Sequence, residues 1–251
     1  MGKNDKSALK EIYARLLETF GPQQWWPART QFEVIVGAIL TQNTNWANVE
    51  KALANLKDKD LLSPQAFYKI TQAKLATQIR PAGYFNIKAK RLKNFISLLF
   101  KEYGGNIRKM GKEDIWVLRR KLLSVNGIGP ETADSILLYA FDKPIFVVDA
   151  YTRRLLYRHN IIAGNEDYHA VQEKFTRSLD CNAQIFNEYH ALIVRLGKEY
   201  CKPKPLCGQC LLNNFHYSLT RKCGKCHRAL LKTNDRKIDQ NHYVCRKCHA
   251  D

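Results

Sequence analysis

Apolar side chains recur at helical spacing along the first two-thirds of the chain. This spacing predicts a first helix that ends before Gly21-Pro22. Further helices are predicted over residues 30–40, 46–56 and 88–103. A late helix is predicted from the apolar positions Ile185, Tyr189, Leu192, Ile193 and Leu196. Because strand-like alternation is nearly absent before residue 220, the predicted fold class is all-α.

The composition changes near Tyr217. Residues 217–251 contain nine Lys or Arg against three Asp and few large apolar residues, so this segment is too small to build a core. Its cysteines are spaced as two Cys-x2-Cys pairs, which are Cys223, Cys226, Cys245 and Cys248. Two such pairs provide four thiolates for a tetrahedral zinc ion. The sequence therefore predicts a small C-terminal zinc-ribbon β-hairpin over residues 217–251.

The charge of the chain is strongly positive. Lys and Arg number 41 against 23 Asp and Glu, which gives a net charge of +18. A surplus of this size favours a polyanionic partner, above all nucleic acid, although a basic solubilising surface is the alternative. Apolar residues at 45% and charged residues at 25% argue against a disordered chain or a disulfide-rich mini-protein.

The sequence shows no targeting signal. Residues 1–7 are polar and no apolar segment follows them, which argues against a secretory signal. The apolar stretch Val34–Leu40 is too short to span a bilayer, so no membrane partner is expected. A cytoplasmic location, associated with the nucleic acid that the charge favours, is expected. There cysteines serve as metal ligands more readily than as disulfides.

The segment around residues 122–141 has the features of a tight turn between two helices. Gly127 and Gly129 form a Gly-x-Gly turn, and Pro130 suits the first position of the next helix. Exposed N–H groups at such a turn can bind a phosphate. A plain corner between packed helices is the alternative for the turn taken alone.

A single carboxylate follows the second of these helices. Asp149 ends the apolar run that begins at Pro144 and precedes the basic residues Arg153 and Arg154. An aspartate at this place can be a simple N-cap. Together with the hairpin, however, it resembles the helix-hairpin-helix DNA glycosylase superfamily, in its endonuclease III-like branch. The resemblance implies that the hairpin grips a DNA phosphate and that Asp149 drives cleavage of the base–sugar bond.

Two further segments carry this resemblance, which extends over most of residues 28–216. Leu40–Trp46 matches the family segment whose glutamine, here Gln42, enters the gap left by a flipped base. Arg80–Leu92 matches the family's helix start, in which a glycine and an aromatic residue precede Lys-Ala, here Gly83-Tyr84-Phe85-Asn86-Ile87-Lys88-Ala89. Lys88 is predicted to bind DNA together with Gln42, Gly127 and Gly129.

The resemblance also implies a division into two helical domains. One is a six-helix bundle over residues 30–143 with its hairpin at 115–141. The other joins residues 1–29 to residues 144–216. DNA is expected in the cleft between them, near Asp149, and the ribbon follows as a third, small domain.

One position departs from the bifunctional members of this branch. They carry a nucleophilic lysine two residues after the second hairpin glycine, where this chain has Glu131. A carboxylate cannot form the Schiff base of the lyase reaction, and nothing in the sequence places Lys143 in the cleft. The predicted activity is therefore a monofunctional DNA glycosylase of base excision repair, in which Asp149 supports hydrolysis. A bifunctional glycosylase/AP lyase and a non-catalytic DNA-binding protein are the alternatives.

Tryptophans near the Gln42 segment suggest the substrate. Trp25, Trp26 and Trp46 resemble the aromatic set of the 3-methyladenine glycosylase subgroup, and flipped bases are commonly held between aromatic rings. Electron-poor alkylated purines stack well on such rings. The alternative is that two of the three are core residues. The expected partner is double-stranded DNA with a damaged base, bound by a monomer.

A second group of cysteines lies before the ribbon. Cys201, Cys207 and Cys210 are followed by His216. Endonuclease III-like proteins carry a four-cysteine iron–sulfur loop at this place, and His can replace Cys on iron. The predicted group is a [4Fe–4S] cluster, with zinc on the same ligands or a loop without metal as alternatives. Cys181 stands alone and is predicted to be a buried small hydrophobe.

Overall fold

The computed structural model describes residues 3–26, 28–213, 215, 235–237 and 243–245. Within them the regular secondary structure is helical apart from one short strand pair, and the all-α prediction is confirmed for this part. The α-helices in chain order are α1 Lys3–Phe20, α2 Gln31–Leu40, α3 Trp46–Lys57, α4 Pro64–Lys69, α5 Gln72–Gln78, α6 Phe85–Tyr103, α7 Ile107–Gly111, α8 Ile115–Leu123, α9 Pro130–Phe141, α10 Ala150–Arg158, α11 Tyr168–Ser178 and α12 Ala183–Glu199. Short 3-10 turns occupy Arg80–Ala82 and Cys207–Gln209.

The chain divides into two compact units. We call Trp26–Ile145 the hairpin unit, and Met1–Trp25 together with Phe146–Asp251 the aspartate unit. The sequence predicted the first boundary at residue 30 and the second at 143. None of the described helices has both the length and the apolar character that a membrane span requires.

Helix α2 is the centre of the hairpin unit. Nine of its ten residues are buried, and it packs against α9 and α6. The Thr30 hydroxyl caps the helix by accepting a hydrogen bond from the Glu33 N–H at 3.1 Å. Because α2 is buried on nearly all sides, its C-terminal end at Leu40 is fixed, and this end leads directly into the Gln42 segment.

An aromatic cluster organises the aspartate unit. The ring of Phe146 stacks on Phe175 of α11 with 3.7 Å between centroids and also contacts Phe186 and Tyr189 of α12. The extended backbone beside Phe146 is paired with side chains: Gln172 Nε2 donates to the Phe146 carbonyl at 2.6 Å. These contacts fix the residues that immediately precede Asp149.

The C-terminal segment contains a pair of three-residue strands. β1 Asp235–Lys237 and β2 Tyr243–Cys245 are antiparallel, with Asp235 opposite Cys245. The predicted ligands Cys223, Cys226 and Cys248 lie outside the described residues, as does the side chain of Cys245. The zinc ribbon therefore stays a prediction.

Candidate functional site

The predicted hairpin is a tight turn between α8 and α9. Gly127 has a φ of +95°, which an L side chain rarely adopts, and a Cβ there would lie 2.3 Å from Cγ of Arg91. At Gly129, by contrast, a Cβ would meet no described atom within 4 Å. The backbone at Gly129 is therefore open to an approaching group, immediately before Pro130 begins α9.

A buried ion pair joins the two hairpin helices. Arg119 of α8 donates from Nε to Oδ1 of Asp134 at 2.7 Å and from Nη2 to Oδ2 at 3.1 Å. Asp134 is fully buried on α9. This two-point contact fixes the orientation of α8 against α9 and so the shape of the turn between them.

Gln42 lies on this turn. Its Nε2 donates to the Gly127 carbonyl at 3.0 Å and to Thr132 Oγ1 at 2.8 Å, while Arg91 Nη1 donates to its Oε1. The fold thus brings together Gln42 and Gly127, which are far apart in the sequence.

Lys88 does not have the predicted role. Its side chain is 1% exposed, and its Nζ donates to the carbonyls of Leu40 at 2.8 Å and Ala82 at 2.7 Å. Burial, together with the nearby charge of Arg91, lowers the pKa of Lys88 to about 8. An ammonium enclosed in this way cannot reach DNA, so the prediction of a DNA contact was wrong; Lys88 instead joins the end of α2 to the Arg80–Ala82 turn.

The turn beside Lys88 presents an aromatic residue that the sequence interpretation gave no role. Tyr84 precedes α6 in a left-handed conformation, with a φ of 44°, and its side chain is 69% exposed. Its only signal in the sequence is its place directly after Gly83, in the segment that matches the family's helix start. An exposed ring at this position can stack on an unpaired base.

The lysine position of bifunctional enzymes is an exposed carboxylate. Glu131 lies in the first turn of α9 and is exposed to solvent. Lys143, the lysine next along the chain, donates its Nζ to the Glu113 carbonyl at 2.7 Å. Its amine therefore serves the packing of the hairpin unit.

Two of the three predicted pocket tryptophans are neighbours in the hairpin unit. The rings of Trp26 and Trp46 lie 4.9 Å apart in an edge-to-face arrangement, and Trp26 is also 5.0 Å from Tyr139. A Cβ at Gly37 would lie 3.2 Å from Trp26, so a glycine permits this packing. Trp25 belongs to the aspartate unit, where the Lys198 ammonium lies 5.6 Å from its ring centre.

Asp149 caps helix α10 of the aspartate unit. Its Oδ1 accepts a hydrogen bond from the Thr152 N–H at 2.7 Å, and its Oδ2 lies 3.5 Å from Nε2 of His190. The carboxylate is 12% exposed. Burial raises the pKa of Asp149, but the charge and hydrogen bond of His190 and the donors of Thr152 outweigh it, so the pKa lies below its ordinary value. The group is ionised at neutral pH.

His190 was missed by the sequence interpretation. It lies on α12 among the apolar positions that predicted this helix, and it looks like one more buried side chain there. Only the packing of α12 against α10 brings it to Asp149.

Cysteines of the group before the ribbon line one cavity of the aspartate unit, together with Arg158 and His159. They are Cys201, Cys207 and Cys210. Arg158 Nη1 lies 3.2 Å from Cys201 Sγ, and burial together with the charges of Cys201 and Cys207 raises the pKa of Cys210 to about 11. Soft sulfur donors around one cavity fit zinc or iron in kind. The described residues nevertheless include no group of three donors at metal-binding spacing, and His216 lies outside them. Cys181 is exposed, so the prediction that it is buried was wrong.

The comparisons with known proteins address the family of this chain. The profile of the HhH-GPD superfamily of base excision DNA repair proteins matches residues 36–181. The chain belongs to this superfamily. A protein of Methanocaldococcus jannaschii named as a DNA repair glycosylase, MJ1434, is 48% identical over 217 residues, which cover 86% of this chain and 98% of that protein. Endonuclease III of Thermotoga maritima is 28% identical over 77% of this chain and 85% of its own.

Among solved structures, this chain is similar to the 3-methyladenine DNA glycosylase MagIII of H. pylori, whose structure was determined with 1,N6-ethenoadenine bound. The TM-score is 0.65 and the identity is 30%, over 78% of this chain and 98% of that one. The prediction of a helix-hairpin-helix glycosylase of the endonuclease III-like branch is confirmed. Membership of this enzyme superfamily favours an enzyme over a non-catalytic DNA-binding protein.

Proposed function

We propose that this chain is a monofunctional DNA N-glycosylase that removes a damaged base, in particular an alkylated purine, from double-stranded DNA. The observation that carries the proposal is that Asp149 is ionised and nearly buried, while the position where a lyase needs an amine holds a carboxylate, Glu131. The protein is proposed to act as a monomer.

Asp149 supplies the chemistry of base release. Cleavage of the base–sugar bond leaves positive charge on the anomeric carbon, as in glycoside hydrolysis. A carboxylate that stays ionised and is fixed by the Thr152 N–H can stabilise this charge and orient or deprotonate a water molecule. His190 lowers the pKa of Asp149 and so favours its charged form.

The hairpin binds the DNA backbone. Nothing in the described structure occupies the space in front of Gly129, and the helix that starts at Pro130 presents its positive end there. A DNA phosphate fits both features. The net charge of +18 adds sequence-independent attraction for the backbone.

The aromatic residues support an alkylated base as the substrate. Trp26 and Trp46 form an edge-to-face pair, and the similar H. pylori protein is a 3-methyladenine glycosylase with a modified adenine bound. Rings of this kind favour electron-poor purines.

The decisive experiment is base release by the purified full-length protein. Duplexes with 3-methyladenine, 1,N6-ethenoadenine, an oxidised pyrimidine, uracil and a mismatch would be incubated with it, and strand scission read before and after alkali. We expect release of an alkylated purine, scission only after alkali, and no covalent species with borohydride. Asp149→Asn should retain DNA binding and lose most of the release. Efficient borohydride trapping would establish the bifunctional alternative.

Phosphate binding by the hairpin is tested separately, by measuring DNA affinity. A side chain at residue 129 would enter the space proposed for the phosphate, so Gly129→Val should weaken DNA binding while the melting temperature stays close to that of the wild type. Affinity should fall steeply with salt, with a slope of roughly −0.9 per phosphate contact. An unchanged affinity in Gly129→Val would exclude this position from the DNA interface.

Two metal sites complete the proposal. A [4Fe–4S] cluster would be held by Cys201, Cys207, Cys210 and His216, and zinc by Cys223, Cys226, Cys245 and Cys248. Neither takes part in the chemistry of base release; each would order its own segment. Anaerobic purification followed by metal analysis should give about one zinc per chain and a brown iron chromophore. Cys245→Ser should remove the zinc alone, and His216→Ala should bleach the iron alone. A colourless protein with two zinc ions would place zinc at both sites.

A further inference from the structure

Helix α6 presents two cations on one face, and both hold the Gln42 segment. Lys88 and Arg91 are three residues apart and therefore neighbours on the helix surface. Lys88 binds the carbonyl of Leu40, two residues before Gln42, and Arg91 donates to the side-chain oxygen of Gln42. The segment is thus held at its backbone and at its side chain by one helix.

Arg91 also supports the hairpin. Its aliphatic stem lies directly against Gly127, where even a methyl group would come within 2.3 Å of Cγ. The Gln42 amide spans the two, since its Nε2 donates to the Gly127 carbonyl and to Thr132 Oγ1. Three partners therefore determine which way the amide points, because the opposite orientation would place its NH2 group against the guanidinium.

We propose that Arg91 is the positioning residue of Gln42, and that through Gln42 and Gly127 it couples the base-flipping segment to the phosphate-binding hairpin. The inference rests on the proposed function, in which Gln42 fills the gap left by the flipped base. Arg91 does not touch the substrate in this role. It sets the position and the orientation of the amide that does.

This role differs from that of a simple phosphate contact in a measurable way. A residue that acts only through Gln42 loses its effect once Gln42 is gone, whereas an independent DNA contact keeps it. Arg91→Met removes the guanidinium and retains most of the stem against Gly127. Lys90→Met is the matched control, because Lys90 is the exposed neighbour on the same helix and carries the same charge.

The experiment is a double-mutant cycle on the full-length protein with Arg91→Met, Gln42→Ala and both together. Single-turnover base release from a 3-methyladenine duplex, at saturating protein, should fall roughly tenfold in Arg91→Met, the cost of one charge-assisted hydrogen bond. DNA affinity should change no more than in Lys90→Met. The double variant should be no slower than Gln42→Ala. Multiplying effects, or an equal rate loss in Lys90→Met, would overturn the proposal.

A readout without catalysis separates this proposal from the proposed function. In a duplex with an abasic-site analogue opposite 2-aminopurine, the wild-type protein should raise the fluorescence as it unstacks the base. Arg91→Met and Gln42→Ala should lower this rise to the same extent, even if no tested base is released. Arg91→Lys, which retains stem and charge, should fall between wild type and Arg91→Met and covers the case in which the methionine variant fails to fold. An undiminished rise in Arg91→Met or Arg91→Lys would overturn the proposal.

Discussion

Nε2 of His190 lies 3.5 Å from Oδ2 of Asp149, and both side chains are nearly buried. The Thr152 N–H holds the other carboxylate oxygen at 2.7 Å. Burial alone would raise the pKa of Asp149, and these two neighbours lower it below its ordinary value. The histidine is therefore expected to control the pH range in which the carboxylate is active.

Replacement of His190 should shift the pH dependence of base release. In His190→Phe the burial of Asp149 remains while its main opposing interaction is lost, so its pKa should rise above the ordinary 3.8. Protonation then removes the active carboxylate as the pH falls, and the acid limb of the rate profile should move to higher pH. Single-turnover rates between about pH 4 and pH 8 measure this shift.

His169→Phe is the control for this variant, since His169 is exposed at the start of α11. It should leave the profile unchanged. If His190→Phe lowers the rate equally at every pH, the histidine has a structural role and does not set the charge of Asp149.

The exposed position of Glu131 makes a gain of function testable. Glu131→Lys places an amine where the lyases of this branch carry theirs, so borohydride should trap a covalent protein–DNA species that is not expected of the wild type. Glu131→Gln removes the charge without adding an amine and should trap nothing. Failure of Glu131→Lys to trap, with base release intact, would show that this side chain does not reach the sugar.

The sequence was sufficient where the relevant residues are contiguous. The hairpin glycines, Pro130 and Asp149 each lie next to the helix that they begin or precede, so local rules place them. Helix α6, in contrast, begins at Phe85 and not at residue 88 as predicted, because Tyr84 adopts a left-handed conformation before it. No propensity rule anticipates that conformation for a tyrosine.

Long-range packing accounts for what was missed. A motif gives the position of Lys88 but not the direction of its side chain, which is buried against two carbonyls. The contacts of Gln42 with Arg91 and Gly127 join three separate segments. His190 meets Asp149 in the same way, through α12, and no pattern in either local sequence indicates the pair.

The buried pair of Arg119 and Asp134 should be important for the stability of the hairpin unit. Asp134→Asn removes the negative charge that the Arg119 guanidinium contacts, and breaking a buried pair costs about 3–5 kcal/mol. Chemical denaturation measures this loss. Glu11→Gln is the control, since its exposed pair with Arg15 is expected to contribute below about 1 kcal/mol. A loss in Asp134→Asn as small as in the control would show that the pair is not a determinant of stability.

Lys88 should make the stability of the protein rise with pH in the alkaline range. Its pKa is about 8 in the folded protein, below the ordinary value of 10.5 that applies after unfolding. Below about pH 8 both states carry the proton, and the full cost of burying the charge is present. Between these two values the unfolded state binds more protons, so the free energy of unfolding increases with pH by up to about 3 kcal/mol.

Lys88→Met has no such group, and its stability relative to wild type should therefore decline from pH 8 to pH 10.5. Urea unfolding of wild type, Lys88→Met and Lys90→Met across this range measures the free energy of unfolding of each. In the difference between a variant and wild type, the contributions of the other titrating groups cancel. If stability changes with pH in the same way in Lys88→Met and wild type, the Leu40 and Ala82 carbonyls fully compensate the burial of the ammonium. Lys90→Met is the control: because Lys90 is exposed, its stability should change with pH as that of the wild type does.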